Sequence, residues 1–298
     1  MKQPLEGIRV LELGMFHAGP GGAAILGDLG AEVIKIEQPG EGDPIRRLKR
    51  VGNVVFALQG GDSIWNEAAN RSKKSVTINL NKAKGREAIY RLVSKADVFI
   101  ATLRNPALEK MKISYPVLAK INPKLIYAHV SGFGPKGPDR NAGAFDYQGQ
   151  GRSGMMYSVG EPQMTPLVSQ FGIVDQTTSI MVSHAIITAL LARERSGIGQ
   201  KVDISLLGTA LFMLYCNVTT ALIGGFEVPR HQRSTEYAMR NYYKCADDKW
   251  LIMTLPPFEK YWQALCPALG HPELENDERI RHDGEKVRQL ITAYCLAG

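Results

Sequence analysis

Along the first half of the chain, short apolar runs alternate with longer stretches of helical period. Residues 8–13 (Ile-Arg-Val-Leu-Glu-Leu) read as a strand, and 32–37 (Glu-Val-Ile-Lys-Ile-Glu) as another. Between them a glycine-rich run, 14–22, is expected to be a loop, and 23–29 a helix closed by Gly30. The turn-rich stretch 38–44 ends this βαβ opening, so a parallel sheet is predicted. The pattern continues with strands at 75–80, 96–101 and 124–130, separated by helices at 84–94 and 113–121. A long helix with apolar positions Ile180, Val182, Ala185, Ile186, Ala189 and Leu190 runs to about Arg195, and a strand at 201–205 follows. The fold class expected is α/β, an open parallel sheet with sites at the carboxyl ends of its strands.

The pattern changes in the last quarter. Between Asp203 and Glu227 no residue is charged. That length could cross a bilayer, but Thr209, Asn217, Thr219, Thr220 and Gly224-Gly225 interrupt it. A helix buried in the protein or at a subunit contact is the better account, so no membrane partner is expected. Residues 226–240 are polar and poorly periodic and read as a linker. From 241 a hairpin (242–245 with 250–254) and helical material begin a second unit. The domains expected are 1–225, a large α/β domain; 226–240, the linker; and 241–298, the start of a smaller α+β domain.

Composition adds exclusions. Thirty-six basic against twenty-nine acidic residues gives +7, which suits an anionic small molecule. The basic residues are scattered apart from Arg46-Arg47-Leu48-Lys49-Arg50 and Arg71, Lys73 and Lys74, which read as solvated faces, so no nucleic acid is expected. The four cysteines make no CxxC pair and the histidines no HExxH, so no metal is expected. Free thiols and a start without an apolar leader segment fit the cytoplasm.

Asp175 is the most informative single residue. It stands where a flexible stretch gives way to the long helix, in the position of an N-cap. Free backbone N–H groups and the helix dipole should keep it ionised at neutral pH, and an ionised carboxylate can act as a nucleophile. Other chemistries are weaker. Residues 19–24 formally match GxGxxA, with Glu37 ending the next strand, but 14–18 intervene where the first glycine of a nucleotide fingerprint should close the strand. No GxSxG elbow is present. His17 lies in the glycine-rich run at the end of the first strand, where sites occur.

Taken in order, these residues resemble family III CoA-transferases, the group of formyl-CoA, crotonobetainyl-CoA and 2-hydroxyacyl-CoA transferases. The stretches that carry the likeness are 4–11, Ala18-Gly19-Pro20, 29–37, 40–44, 74–77, 96–98, 122–128, 131–138, Phe145-Asp146-Tyr147, Asp175 and 197–203. The resemblance implies that Asp175 attacks an acyl-CoA thioester to give an aspartyl anhydride and CoA thiolate. An aspartyl-CoA thioester then passes CoA to an acceptor acid. It implies CoA contacts at His17, Ala18, Pro39, Ile78, Asn79, Asn81, Thr102, Leu103, Arg104, Lys110, Ser131 and Gly132, with Arg104 and Lys110 facing phosphates. Coenzyme A would be a substrate, not a resident cofactor, and the partner a second subunit in an interlocked homodimer.

The likeness has departures. Many relatives have Glu-Asn-Phe where this chain has Ala101-Thr102-Leu103. The family's glycine-rich covering loop is not visible, and its C-terminal segment, which returns to the large domain, is not reached before Gly298. An alternative is therefore a truncated, non-catalytic CoA-binding remnant. A second alternative is an α-methylacyl-CoA racemase, but where those enzymes carry a proton-moving histidine this chain has Phe145, which cannot shuttle a proton.

Overall fold

A computed structural model of the protein describes residues 2–233 and 237–297. The described residues divide into two compact units. One is built from the chain up to Met156 and from Val168 to Val228; the other from Tyr157–Leu167 and from Pro229 onward.

The larger unit contains eight strands: β1 Arg9–Leu13, β2 Glu32–Glu37, β3 Arg50–Val51, β4 Val54–Val55, β5 Lys73–Thr77, β6 Val98–Ala101, β7 Ile126–Ser131 and β8 Lys201–Ser205. β3 and β4 form a small antiparallel ribbon. The other six make one parallel sheet in the order β5-β2-β1-β6-β7-β8. With the ribbon set aside this is the doubly wound order 3-2-1-4-5-6, whose topological switch lies between β1 and β6.

Strand alternation builds two cores. Val10, Val98, Ile100 and Ala128 point to one face, where Val182, Ile186, Ala189 and Leu190 of the Ile173–Ser196 helix pack with Ala23 and Leu26. Leu11, Phe99, Ala101 and Tyr127 point to the other, against Ile89, Val93, Leu108 and Leu118. Ile173–Ser196 is long and apolar enough to cross a bilayer by composition alone. Its place here is that of a core helix, with its apolar stripe against the sheet.

The glycine-rich run expected to be a loop is helical from Ala18, in a helix Ala18–Asp28. Its glycines serve close packing instead. A Cβ on Gly22 would lie 2.6 Å from Val182 Cγ1. Glycine here lets two helices approach where a bulkier residue would hold them apart. The uncharged stretch is likewise not one helix. It breaks into Leu206–Met213, Tyr215–Thr219 and a π turn Thr220–Gly224, bent by 80°. Phe212, Tyr215, Leu222, Ile223 and Phe226 remain exposed.

The second unit carries the hairpin β9 Arg240–Lys244 with β10 Trp250–Thr254 and the helices Glu259–Ala268, Glu278–His282 and Gly284–Ala297. The segment read as a linker supplies Ala238 and Met239 to this unit's core, beside Tyr243, Trp262, Val287 and Ile291. Arg230 accounts for part of Tyr157–Leu167 joining the same unit, since it donates to the Met164 and Val159 carbonyls.

Candidate active site

The loops after β1, β6 and β7 converge at the carboxyl edge of the sheet around a cavity of about 550 Å³. Asp175 lines it together with His17, Ala18, Thr102, Leu103, Arg104, Ser131 and Gly132. A neighbouring cavity of about 160 Å³ is lined by Ile78, Asn79, Asn81 and Leu103. The two share Met15 and Leu103 along their walls. Eleven of the sequence-predicted positions, Asp175 among them, line these cavities, but Pro39 and Lys110 line neither. Pro39 sits in the turn after β2, and Lys110 in the last turn of the short Asn105–Lys110 helix.

The loop from Gly14 to His17 is fixed from below by buried charge. Lys35 Nζ lies 3.0 Å from Glu12 Oε1, 2.9 Å from Asp43 Oδ2 and donates to the Gly14 carbonyl at 3.0 Å. Lys73 Nζ meets the other Glu12 oxygen at 3.0 Å. Burial alone would depress the Lys35 amine, but Glu12 and Asp43 outweigh it and hold it above its ordinary value. Burial pulls Lys73 down to about 8 against the attraction of Glu12, with Lys35 adding to the fall. Asp43 Oδ1 also accepts from the Phe16 N–H at 3.2 Å, which steadies a non-glycine residue at φ +61°. Thr102 Oγ1 accepts from the Met15 N–H at 3.1 Å. The loop is thus held in place before any ligand arrives.

Glu37, at the end of β2 and on the wall of the smaller cavity, is tied to Arg46 through two bonds of 2.8 Å. Burial would raise its carboxyl, but Arg46, Ser75 and the Asp43 N–H bring it to about 2. His129, on β7, is buried at the larger cavity's wall with Nε2 3.0 Å from the Leu103 carbonyl. Burial pushes the His17 imidazole below its ordinary value, against the pull of Asp43 and Asp146.

The position of Asp175 corrects the sequence reading. Gly172, at φ +73°, is the N-cap, and Asp175 is the third residue of Ile173–Ser196. The helix-start N–H groups expected to hold Asp175 are taken by another carboxylate: Asp146 Oδ2 accepts from Val174 N–H at 2.7 Å and from Asp175 N–H at 3.1 Å. Asp175 is therefore not held ionised. Burial first, and the Asp146 charge second, push its carboxyl up to about 7. Asp146 itself is missed by single-residue reasoning, although the run Phe145-Asp146-Tyr147 is part of the resemblance. Phe145, singled out in the sequence against racemisation, also lines the cavity, as do Arg140 and Gln148, which carried no sequence signal.

The family model for CoA-transferase family III matches residues 5–296. The chain belongs to that family. An acyl-CoA transferase from Fusarium pseudograminearum is 35% identical, over 99% of this chain and 65% of its own length. The (R)-2-hydroxy-4-methylpentanoate CoA-transferase of Clostridioides difficile is 34% identical, over 99% of this chain and 73% of its own. A crystal structure of a CAIB/BAIF family protein from Brucella suis superposes with a TM-score of 0.83 at 32% identity, covering all of this chain and 78% of that one. The chain spans about two thirds to three quarters of the length of these curated relatives.

Proposed function

We propose that the protein moves CoA between an acyl-CoA donor and a carboxylic acid acceptor, with Asp175 as the nucleophile. The observation that carries this reading is the Asp175 carboxylate on the wall of the larger cavity of a family III chain, where burial and Asp146 push it up to about 7. A Asp175 oxygen attacks the thioester carbonyl, the C–S bond breaks, and CoA thiolate leaves with the electron pair. CoA thiolate attacks the aspartyl carbonyl of the anhydride, the donor carboxylate leaves, and an aspartyl-CoA thioester remains. The acceptor carboxylate displaces CoA thiolate from it to form a second anhydride, and the thiolate then attacks the acceptor's acyl carbon, giving acceptor-CoA and free Asp175. Covalent catalysis divides one difficult exchange into easier ones.

CoA is a substrate in this scheme. Two cavities that share Met15 and Leu103 support binding of an extended molecule, with Arg104 and Arg140 on the wall of the larger one as cations for anionic groups. Pro39 and Lys110, which line neither cavity, have no part in this reading. Phe145 on the cavity wall has no exchangeable proton, which supports transfer over racemisation. The exposed apolar face of Phe212, Tyr215, Leu222, Ile223 and Phe226 supports a homodimer, and four free thiols support a reducing cytoplasm.

The test is exchange of CoA between an acyl-CoA and a free acid. Wild-type protein is expected to catalyse it and Asp175→Ala to lose it. Retained CoA binding with no exchange in the wild type would instead favour the binding remnant, and α-deuterium uptake from heavy water without an acceptor acid would favour the racemase.

A further inference from the structure

The Asp146 carboxylate is buried, with its side chain at the start of the Asp146–Arg152 helix. One oxygen takes both the Val174 and Asp175 N–H groups, and the other accepts from Gln150 Nε2 at 2.5 Å. Three donors on two oxygens describe an acceptor-only group, an ionised carboxylate. Gln150 in turn donates to the Gln170 carbonyl at 2.8 Å, and its Oε1 accepts from Ser169 N–H and Oγ at 3.1 Å each. The charge is therefore built into the loop that leads to Asp175. It occupies the anion position of the helix N-terminus that would otherwise favour ionised Asp175.

We propose that Asp146 is a positioning residue that drives the acylation of Asp175 by like-charge repulsion. This inference rests on the function proposed above. Before reaction two carboxylates face one helix start. When an Asp175 oxygen bonds to the acyl carbon and the C–S bond breaks, Asp175 becomes neutral and the negative charge leaves on the CoA sulfur. The repulsion is relieved in the same step, and the unstabilised carboxylate is the stronger nucleophile beforehand. The other titratable groups on the cavity wall are His17, His129, Arg104 and Arg140. None of these is a second anion, and among the described residues Asp146 is the charge that acts on Asp175.

The experiment follows the pH dependence of Asp175 acylation in the whole chain, by hydroxylamine trapping after mixing with acyl-CoA. In wild type the acid limb should lie near pH 7. In Asp146→Asn it should move down by about one pH unit or more, and the plateau rate should fall about 3- to 10-fold, with KM for acyl-CoA within about twofold. Gln150→Ala, which loosens the same loop without removing a charge, should lower Tm and leave the limb in place. A limb unmoved in folded Asp146→Asn, or moved equally by Gln150→Ala, would overturn the inference and leave Asp175 as the nucleophile. Titrating the Asp175 carboxyl by ¹³C NMR needs no substrate. A midpoint near 7 in wild type that falls in Asp146→Asn supports the inference, and one in the ordinary carboxylate range in wild type, or unmoved in the variant, overturns it. Absence of any acyl adduct on wild-type Asp175 would instead remove the functional reading, and the inference with it.

Discussion

Two groups of carboxylates, all buried except the half-buried Asp175, lie near the carboxyl edge of the same sheet, and they are wired in opposite ways. Below the 14–17 loop, Glu12 and Asp43 are matched by Lys35 and Lys73, two anions against two cations. At the start of Ile173–Ser196, Asp146 takes the Val174 and Asp175 N–H groups and the Gln150 side-chain amide for itself. The first arrangement satisfies its charges and fixes a loop. The second leaves one carboxylate unsatisfied beside a cavity. Carboxylates serve as scaffold in one place and, in the proposed function, as the reactive group in the other, and the difference lies in which charges have partners.

The sharpest way to break the comparison is to remove the unsatisfied group. Asp175→Ala should reduce CoA exchange by about 10³-fold or more while the fold survives, read by steady-state assay and circular dichroism. The satisfied cluster should answer in stability instead. Lys35→Met leaves Glu12 and Asp43 facing one remaining cation, and should lower unfolding free energy by about 3–5 kcal/mol in urea titrations.

Smaller effects sharpen the contrast through pH. Glu37→Gln should lose about 1–3 kcal/mol at pH 7, because Arg46 and Ser75 favour the ionised form. Its folded value is depressed, so that stability is present above the ordinary 4.5 and is lost as pH falls toward about 2. The two proteins should converge there in thermal melts. Asp175→Asn should behave in reverse. The folded value is raised from 3.8 to about 7, so the wild type loses stability as pH rises across that window. The variant should therefore melt higher at pH 8, by an equivalent of about 1–3 kcal/mol, and equally at pH 3.5. Arg104→Gln, the smallest effect, should raise KM for acyl-CoA about 3- to 10-fold with kcat nearly unchanged.

Much of the scaffold was legible because strand burial is periodic. Val10 and Leu11, or Val98 and Phe99, announce the two faces of one sheet in their alternation. The 18–22 run was misread because glycine usually marks a turn, and only the second helix, with Val182 against Gly22, shows why a helix would need it. The uncharged stretch after Asp203 gave no local sign of its bend. Asp175 was legible as a position and mistaken as an environment. A residue three places into a helix and an N-cap differ by the backbone angles of Gly172, and the carboxylate that takes the N–H groups comes from 29 residues earlier. Contacts at that separation leave no periodic trace.

One measurement tests the central claim most directly. The protein is mixed with an acyl-CoA, quenched with hydroxylamine, and the peptide carrying Asp175 is read by mass spectrometry. The account predicts a hydroxamate on Asp175, appearing together with loss of exchange activity. Full exchange activity with Asp175 unmodified would contradict it.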